Sequence, residues 1–402
     1  MPAVARELLS IEEAQALVLA RVEPLEPEPV ALGEAAGRFV AEDARAAVDL
    51  PPFASSAMDG FAVCAGDTPG DLPVVARIAA GRPAVRPLER GEAMAIATGG
   101  VVPEGADAVI PLEYVVDHDN SVEIPDAVSP GANVRPRGGD VRSGGTVVPR
   151  GTRLGPAQLA ALGAAGLAEV ACARRPRAAV LATGTELRRP GDALRPGEVY
   201  EANGALLAAG LAMAGAEPVV LPVAADDEET HRRALERGLD ADVLVTSGGV
   251  SVGPHDLVRR IESELGVEEV FWGVAVKPGK PVAFGVRDRT LVFGLPGNPV
   301  SSLVGFELFV RPALLALQGA RSPLPVYRAG RLATPLRRNP RRDQFVRARA
   351  RHQADGTVLL EPLEGQDSHM IVRAAAADAL VLVRRGEGEE PAGASARYLL
   401  LA

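Results

Sequence analysis

The sequence predicts a multidomain α/β protein built around a doubly wound, mostly parallel sheet, with an inserted all-β domain, a helical N-terminal segment and a C-terminal β-barrel. Three observations carry this. First, apolar runs at residues 178–182, 219–223 and 243–245 alternate with helical periodicity, the βαβαβ order of a parallel sheet. Second, from residue 51 to 149 the apolar runs shorten and are broken by Gly, Pro and Asp, the pattern of an all-β domain. Third, past Pro323 the chain turns arginine-rich and carries short alternating runs, which read as a small barrel or sandwich.

Taken in order, Ser10-Ile11-Glu12-Glu13 has the form of a capping box, and Ile11, Ala14, Leu17 and Val18 share one helical face until Pro24. Residues 32–49 suggest another short helix and strand. Strands are expected at 61–63, 72–78, 93–97, 108–110 and 121–124, and a helix from Pro156 to about Gly166. In the α/β region helices are expected at 204–214, 228–237 and 300–317, with a further one carried by Leu257, Val258, Ile261 and Leu265. The barrel strands are expected at 345–350, 358–362, 379–383 and 397–401. The domains are therefore 1–50 together with 147–174, 51–146, 175–324 and 325–402.

Global composition narrows the function. With 402 residues and 47% hydrophobic side chains the chain fills several cores. A net charge of −9 argues against nonspecific nucleic-acid binding and makes any anion site a local exception to the field. Cys64 and Cys172 are too few and too far apart for a zinc cluster, and the five histidines show no ligand spacing. No apolar run reaches the roughly 18 residues of a membrane span, so a soluble cytoplasmic protein with no membrane partner is expected.

Chemistry gathers where the strands end. The run at 243–245 stops at Ser247-Gly248-Gly249, and Ser251 and Asp256 lie just beyond. The run at 291–293 stops at Pro296-Gly297-Asn298-Pro299. Glycine amides beside a helix N-terminus, at the carboxyl edge of a parallel sheet, suit a phosphate; the same glycines would also serve a plain tight turn. Glu186, Asp226 and Asp256 each follow a strand at that edge and offer hard oxygens for Mg²⁺, or else cap the helices behind them. Lys277 and Lys280, in Lys-Pro-Gly-Lys-Pro, are the only two lysines in the sequence. Every other cation is arginine, so two retained ammonium groups point to a ligand that needs compact charges, an oxyanion. The Asp59-Gly60, Thr98-Gly99 and Gly139-Asp140 stretches read first as turns.

Together, Ser56-Ala57-Met58-Asp59-Gly60-Phe61-Ala62, Thr98-Gly99, Pro103-Glu104-Gly105-Ala106-Asp107, Thr183-Gly184 with Glu186, Ser247-Gly248-Gly249 through Asp256, Lys277 to Pro281 and Gly294 to Pro299 resemble the molybdopterin molybdenumtransferase (MoeA) family. The gephyrin E-domain shares the pattern. The resemblance implies a four-domain homodimer that moves molybdenum from molybdate to adenylylated molybdopterin with release of AMP and use of Mg²⁺. It implies that Asp59, Thr98 and Asp140 face the active cleft from the β domain. Glu186, Asp226 and Asp256 would handle metal and nucleotide. The substrate would be bound by Asn203, Ser247, Gly248, Gly249, Ser251, Pro296, Gly297, Asn298 and Pro299, and molybdate by Lys277, Lys280, Arg347 and Ser368. Implied partners are the molybdopterin adenylyltransferase and apo-molybdoenzymes or their chaperones. Three positions depart from the family pattern: Thr185 and Glu201 where an acid and Asp are usual, and Gly273 where several members have lysine. Adenylyl transfer from ATP to molybdopterin, and a non-enzymatic scaffold, are the two rival readings.

Overall fold

A computed structural model describes residues 8–401 except 225–226 and 250–256. Its contacts divide the chain into two compact units: one comprises the chain up to Glu28, Gly37–Ala41 and the chain from Cys172 onward, the other Pro29–Ala36 and Glu42–Ala171.

The first unit is organised by a six-stranded sheet in the order Glu217–Val220, Arg177–Ala182, Val243–Ser247, Thr290–Leu295, Ala283–Arg287, Glu268–Trp272. The first four strands run parallel. The last two are antiparallel additions that periodicity did not reveal, since neither is a long apolar run. Side-chain alternation splits the sheet into two faces. Ala178, Val180, Val243 and Val245 pack against Leu207, Leu211, Val304 and the Ile11–Leu19 helix. Ala179, Leu181, Leu244 and Val292 pack against Leu235 and Ile261 on the other side. The edge strand forms at Glu217–Val220 rather than 219–223: Pro218 lacks an N–H, which an edge position tolerates, and the strand is exposed throughout.

The capping box forms as expected: Ser10 Oγ accepts from Glu13 N at 3.1 Å, and Ser10 N donates to Glu13 Oε2 at 2.8 Å. The expected helix at 300–317 is interrupted. It runs as α-helix over Pro299–Gly305, as π-helix over Phe306–Val310 and as α-helix again over Arg311–Leu317. Pro312 explains the break, because it lacks the N–H that would bond Leu308 O and its ring crowds that carbonyl. The freed carbonyl is taken instead by Gln15 Nε2 from the N-terminal helix, at 3.0 Å. Pro299–Leu317 is long and apolar enough by composition to span a membrane, but 72% of its most apolar 18-residue stretch is buried in this core.

The C-terminal sheet closes on itself. Asp343–His352 pairs with Val358–Pro362 and with Ala379–Val383, and Arg328–Leu332 and Ser395–Leu400 complete the ring. The short strand Val276–Lys277 of the α/β region joins its Asp343 end in parallel.

The second unit holds a six-stranded mixed sheet made of Gly60–Val63, Gly70–Ile78, Ala93–Ile96, Ala108–Pro111, Val116–His118 and Ser121–Ile124, with the helix Pro156–Ala164 alongside its own loops. Gly60 has no room for a side chain, since a Cβ there would lie 1.9 Å from Ile110 O.

Candidate active site

Three strand ends are stitched together at the carboxyl edge of the parallel sheet. Thr183 N donates to Ser247 O at 3.0 Å, and Gly248 N donates to Leu295 O at 3.1 Å. Gly248 and Gly249 both hold left-handed backbone (φ 96° and 67°), and a Cβ on Gly248 would meet Thr183 O at 2.7 Å. Glycine is therefore required by close approach as well as by conformation.

Asn203 opens the Asn203–Met213 helix and is buried at this edge. Its Nδ2 donates to Ser247 Oγ and to Gly297 O, each at 2.7 Å. Because Gly297 O only accepts, the amide orientation is settled, and Oδ1 is left buried with no hydrogen-bond partner. An unpaired acceptor beside two glycine loops matches a ligand that brings a donor. Glu201, just before the same helix, accepts from Gly204 N in its first turn at 2.7 Å.

Glu186 is exposed at the next loop, its carboxylate folded toward Gly184: a Cβ there would lie 2.6 Å from Oε2. Asp226, Asp256 and Ser251 lie outside the described residues. Asp227, one residue on from the expected acid, caps the Glu228–Gly238 helix, and the Thr230 N–H it accepts at 2.8 Å holds its pKa below the usual carboxylate range. Among the described residues no three acidic, His or Cys side chains cluster as a metal site.

The lysines reach this edge because Ala283–Arg287 runs antiparallel to Thr290–Leu295. Ala283 pairs with Gly294, so the loop preceding Ala283 emerges where the parallel strands end. Lys277 and Lys280 are both exposed, and among the described residues neither forms an ion pair. Between them Gly279 (φ 103°) lies against the first turn of the Pro299–Gly305 helix, 3.3 Å from Ser301 O if given a Cβ. Ser301 is itself buried there, a polar residue whose apolar surroundings in the sequence concealed it.

Ser368 arrives from the barrel. Its Oγ accepts from Asn298 Nδ2 at 2.9 Å and its carbonyl from Val300 N at 3.1 Å. Arg347 is placed differently from the expectation of an anion-facing guanidinium. It is buried, and its N–H groups are taken by the carbonyls of Met370 (2.8 Å), Gly365 (2.7 Å) and Asp367 (3.1 Å) and by Gln366 Oε1 (3.3 Å). Burial pushes its pKa down from the ordinary arginine value. In this conformation Arg347 folds residues 365–370 around itself and so presents Ser368. Gln366, which exchanges two bonds with the Arg347 backbone at 3.0 Å, is a further part of this loop that sequence reasoning did not find.

In the second unit, Asp59 Oδ1 accepts from Thr98 N at 2.6 Å, bringing those two together. Asp140 is exposed, its N–H donating to Leu50 O at 2.9 Å, and no bond joins it to that pair.

Residues 9–166 match the model of the MoeA N-terminal region (domain I and II), 179–316 that of a probable molybdopterin binding domain, and 329–401 that of the MoeA C-terminal region (domain IV). The chain is 40% identical over 365 residues to molybdopterin molybdenumtransferase 2 of Mycobacterium tuberculosis, covering 87% of this chain and 89% of that one. The chain belongs to the MoeA family. A second relative, the molybdopterin molybdenumtransferase of Haemophilus influenzae, is 33% identical over 392 residues and is covered over 97% of its length. The crystal structure of the molybdopterin biosynthesis MoeA protein of Pyrococcus horikoshii superposes with a TM-score of 0.85 at 28% identity, over 98% of this chain and all of that one. The glycine loops, Asn203 and the two lysines all fall within the matched molybdopterin-binding region, and Arg347 and Ser368 within the MoeA C-terminal region.

Proposed function

We propose that this MoeA-family chain is a molybdopterin molybdenumtransferase that moves molybdenum from molybdate to adenylylated molybdopterin, releasing AMP, in molybdenum cofactor biosynthesis. One observation carries the reading: the only lysines of the chain stand at the same sheet edge as the two glycine loops, so a tetrahedral oxyanion and a phosphate ester can be held side by side.

The division of labour follows from the residues. Left-handed Gly248 and Gly249, with Gly297 and Asn298, line the phosphate and pterin end, with Asn203 Oδ1 accepting a ligand N–H or O–H. Lys277 and Lys280 attract molybdate, with Ser368 and the Asn298 amide giving direction. Within the second unit, the bonded Asp59 and Thr98 and the exposed Asp140 are the polar groups that the family resemblance assigns to the reaction. Mg²⁺ fits the hard carboxylate donors expected here: Glu186 with Asp226 and Asp256 would hold it, and it would neutralise phosphate charge. A homodimer in the cytoplasm, receiving its pterin from an adenylyltransferase and passing product to apo-molybdoenzymes or their chaperones, completes the reading.

The test supplies the purified protein with adenylylated molybdopterin, Mg²⁺ and molybdate, and follows AMP by chromatography together with reconstitution of an apo-molybdoenzyme. Molybdate-dependent AMP release with reconstitution is expected. Formation of adenylylated molybdopterin from ATP and molybdopterin, without molybdate-dependent AMP release, would overturn the reading in favour of the adenylyltransferase.

A further inference from the structure

The strand that delivers Lys277 is only two residues long, Val276–Lys277, yet its lysine must be held in place for a small oxyanion. What fixes it lies away from the glycine loops. On one side, Ala275 N donates to Leu9 O at 2.8 Å, and Leu9 bridges Val274 in parallel, immediately before the Ile11–Leu19 helix. On the other side, Asp343 pairs with Val276 and its N–H donates to Ala275 O at 2.9 Å. Asp343 is buried, 5% exposed, and both of its carboxylate oxygens are engaged. Oδ2 accepts from Arg384 Nη1 at 2.8 Å, and Oδ1 from Arg385 N at 2.7 Å. The second amino group of Arg384 reaches across to Glu12 Oε1, in the first turn of the N-terminal helix, at 2.7 Å. One guanidinium thus ties together the two elements that flank residues 273–277.

We infer that Arg384, bridging Glu12 and Asp343, is a positioning residue for molybdate: it clamps the N-terminal helix and the barrel strand onto the Val276–Lys277 strand and so sets where Lys277 stands. The inference rests on the proposed role of Lys277 and deepens it. A forked cation suits this task, because one planar guanidinium satisfies two carboxylates at once while an ammonium group gives no fixed geometry. The Glu12 carboxyl is consistent with this pairing: partial burial pushes it up, but the Arg384 bond, its own backbone N–H and the nearby guanidinium charges together hold it below the usual range. Loss of the fork frees the strand to shift, and a displacement of about 1 Å at a binding group costs up to about 100-fold.

The experiment titrates molybdate into the full-length protein by calorimetry, with AMP titrated in parallel and steady-state kinetics run over a molybdate series, for wild type, Arg384→Met, Arg384→Lys, Glu12→Gln and Lys277→Met. Arg384→Met is expected to weaken molybdate binding and raise its KM by about tenfold, with kcat and AMP affinity within about twofold of wild type. Arg384→Lys and Glu12→Gln should fall in between. In the Lys277→Met background Arg384→Met should have no further effect, since the two act through one group. Wild-type molybdate affinity in Arg384→Met and Glu12→Gln, beside a defective Lys277→Met, would overturn the clamp alone. Parallel loss of AMP and molybdate binding in Arg384→Met and Glu12→Gln would also overturn it, marking general damage. Unchanged molybdate binding in Lys277→Met would instead remove the functional reading beneath it.

Discussion

At the scale of single residues, the chain's bias toward arginine makes its two lysines conspicuous. Lys277 and Lys280 stood out because nothing else in the sequence is lysine, and the structure brings both to the glycine-loop edge. Arg347 enters only through the family resemblance, as a molybdate position. Its burial among carbonyls depends on how residues 365–370 wrap, which no local pattern records. The two kinds of cation therefore predict different losses. Lys277→Arg keeps the charge but replaces a compact group by a planar one, and the molybdate concentration for half-maximal rate should rise by about tenfold with little change in melting temperature. Arg347→Met strips donors from three partly buried carbonyls and should cost about 1–3 kcal/mol in urea unfolding.

Elements were legible where one physical signal was enough. The capping box at Ser10 and Glu13, the short strands of the second unit and the strand at Val243–Ser247 follow from capping chemistry and apolar periodicity alone. The antiparallel pair Glu268–Trp272 and Ala283–Arg287 was not legible, because polar ends and a glycine-lysine loop break its pattern, although it is this pair that carries the lysines to the site. The π-helical stretch was equally hidden. Pro312 lies inside the expected helix, and the partner that makes the break tolerable, Gln15, lies 293 residues away in sequence. Gln15→Leu should destabilise the protein by about 1–3 kcal/mol, by leaving the Leu308 carbonyl buried without a donor, and this can be measured by chemical denaturation. Gly60→Ala should be worse than a typical surface change by several-fold and reduce soluble yield, since the Ile110 carbonyl leaves no space.

At the scale of the whole molecule, stability has a predictable acid limb. Asp242, at the head of the Val243–Ser247 strand, receives two bonds from Arg174 at 2.7 and 2.6 Å and one from Arg177 N at 2.8 Å. Partial burial pushes its carboxyl up, but these bonds outweigh it and hold the pKa below the ordinary value. A depressed folded pKa contributes stability above the unfolded pKa of about 3.9 and loses it as pH falls through the folded value. Asp242→Asn should therefore be less stable than wild type by about 1 kcal/mol at neutral pH, discounted for the partial exposure of Arg174, with the gap closing below about pH 4.

The proposed transfer requires the lysine pair to hold the oxyanion at the glycine-loop edge of the sheet. The most direct measurement is molybdate-dependent AMP release from adenylylated molybdopterin by a Lys277→Met, Lys280→Met double variant, with AMP binding measured on the same sample. AMP should still bind while molybdate no longer stimulates its release; a double variant that responds to molybdate as wild type does would contradict the proposed role of the lysines.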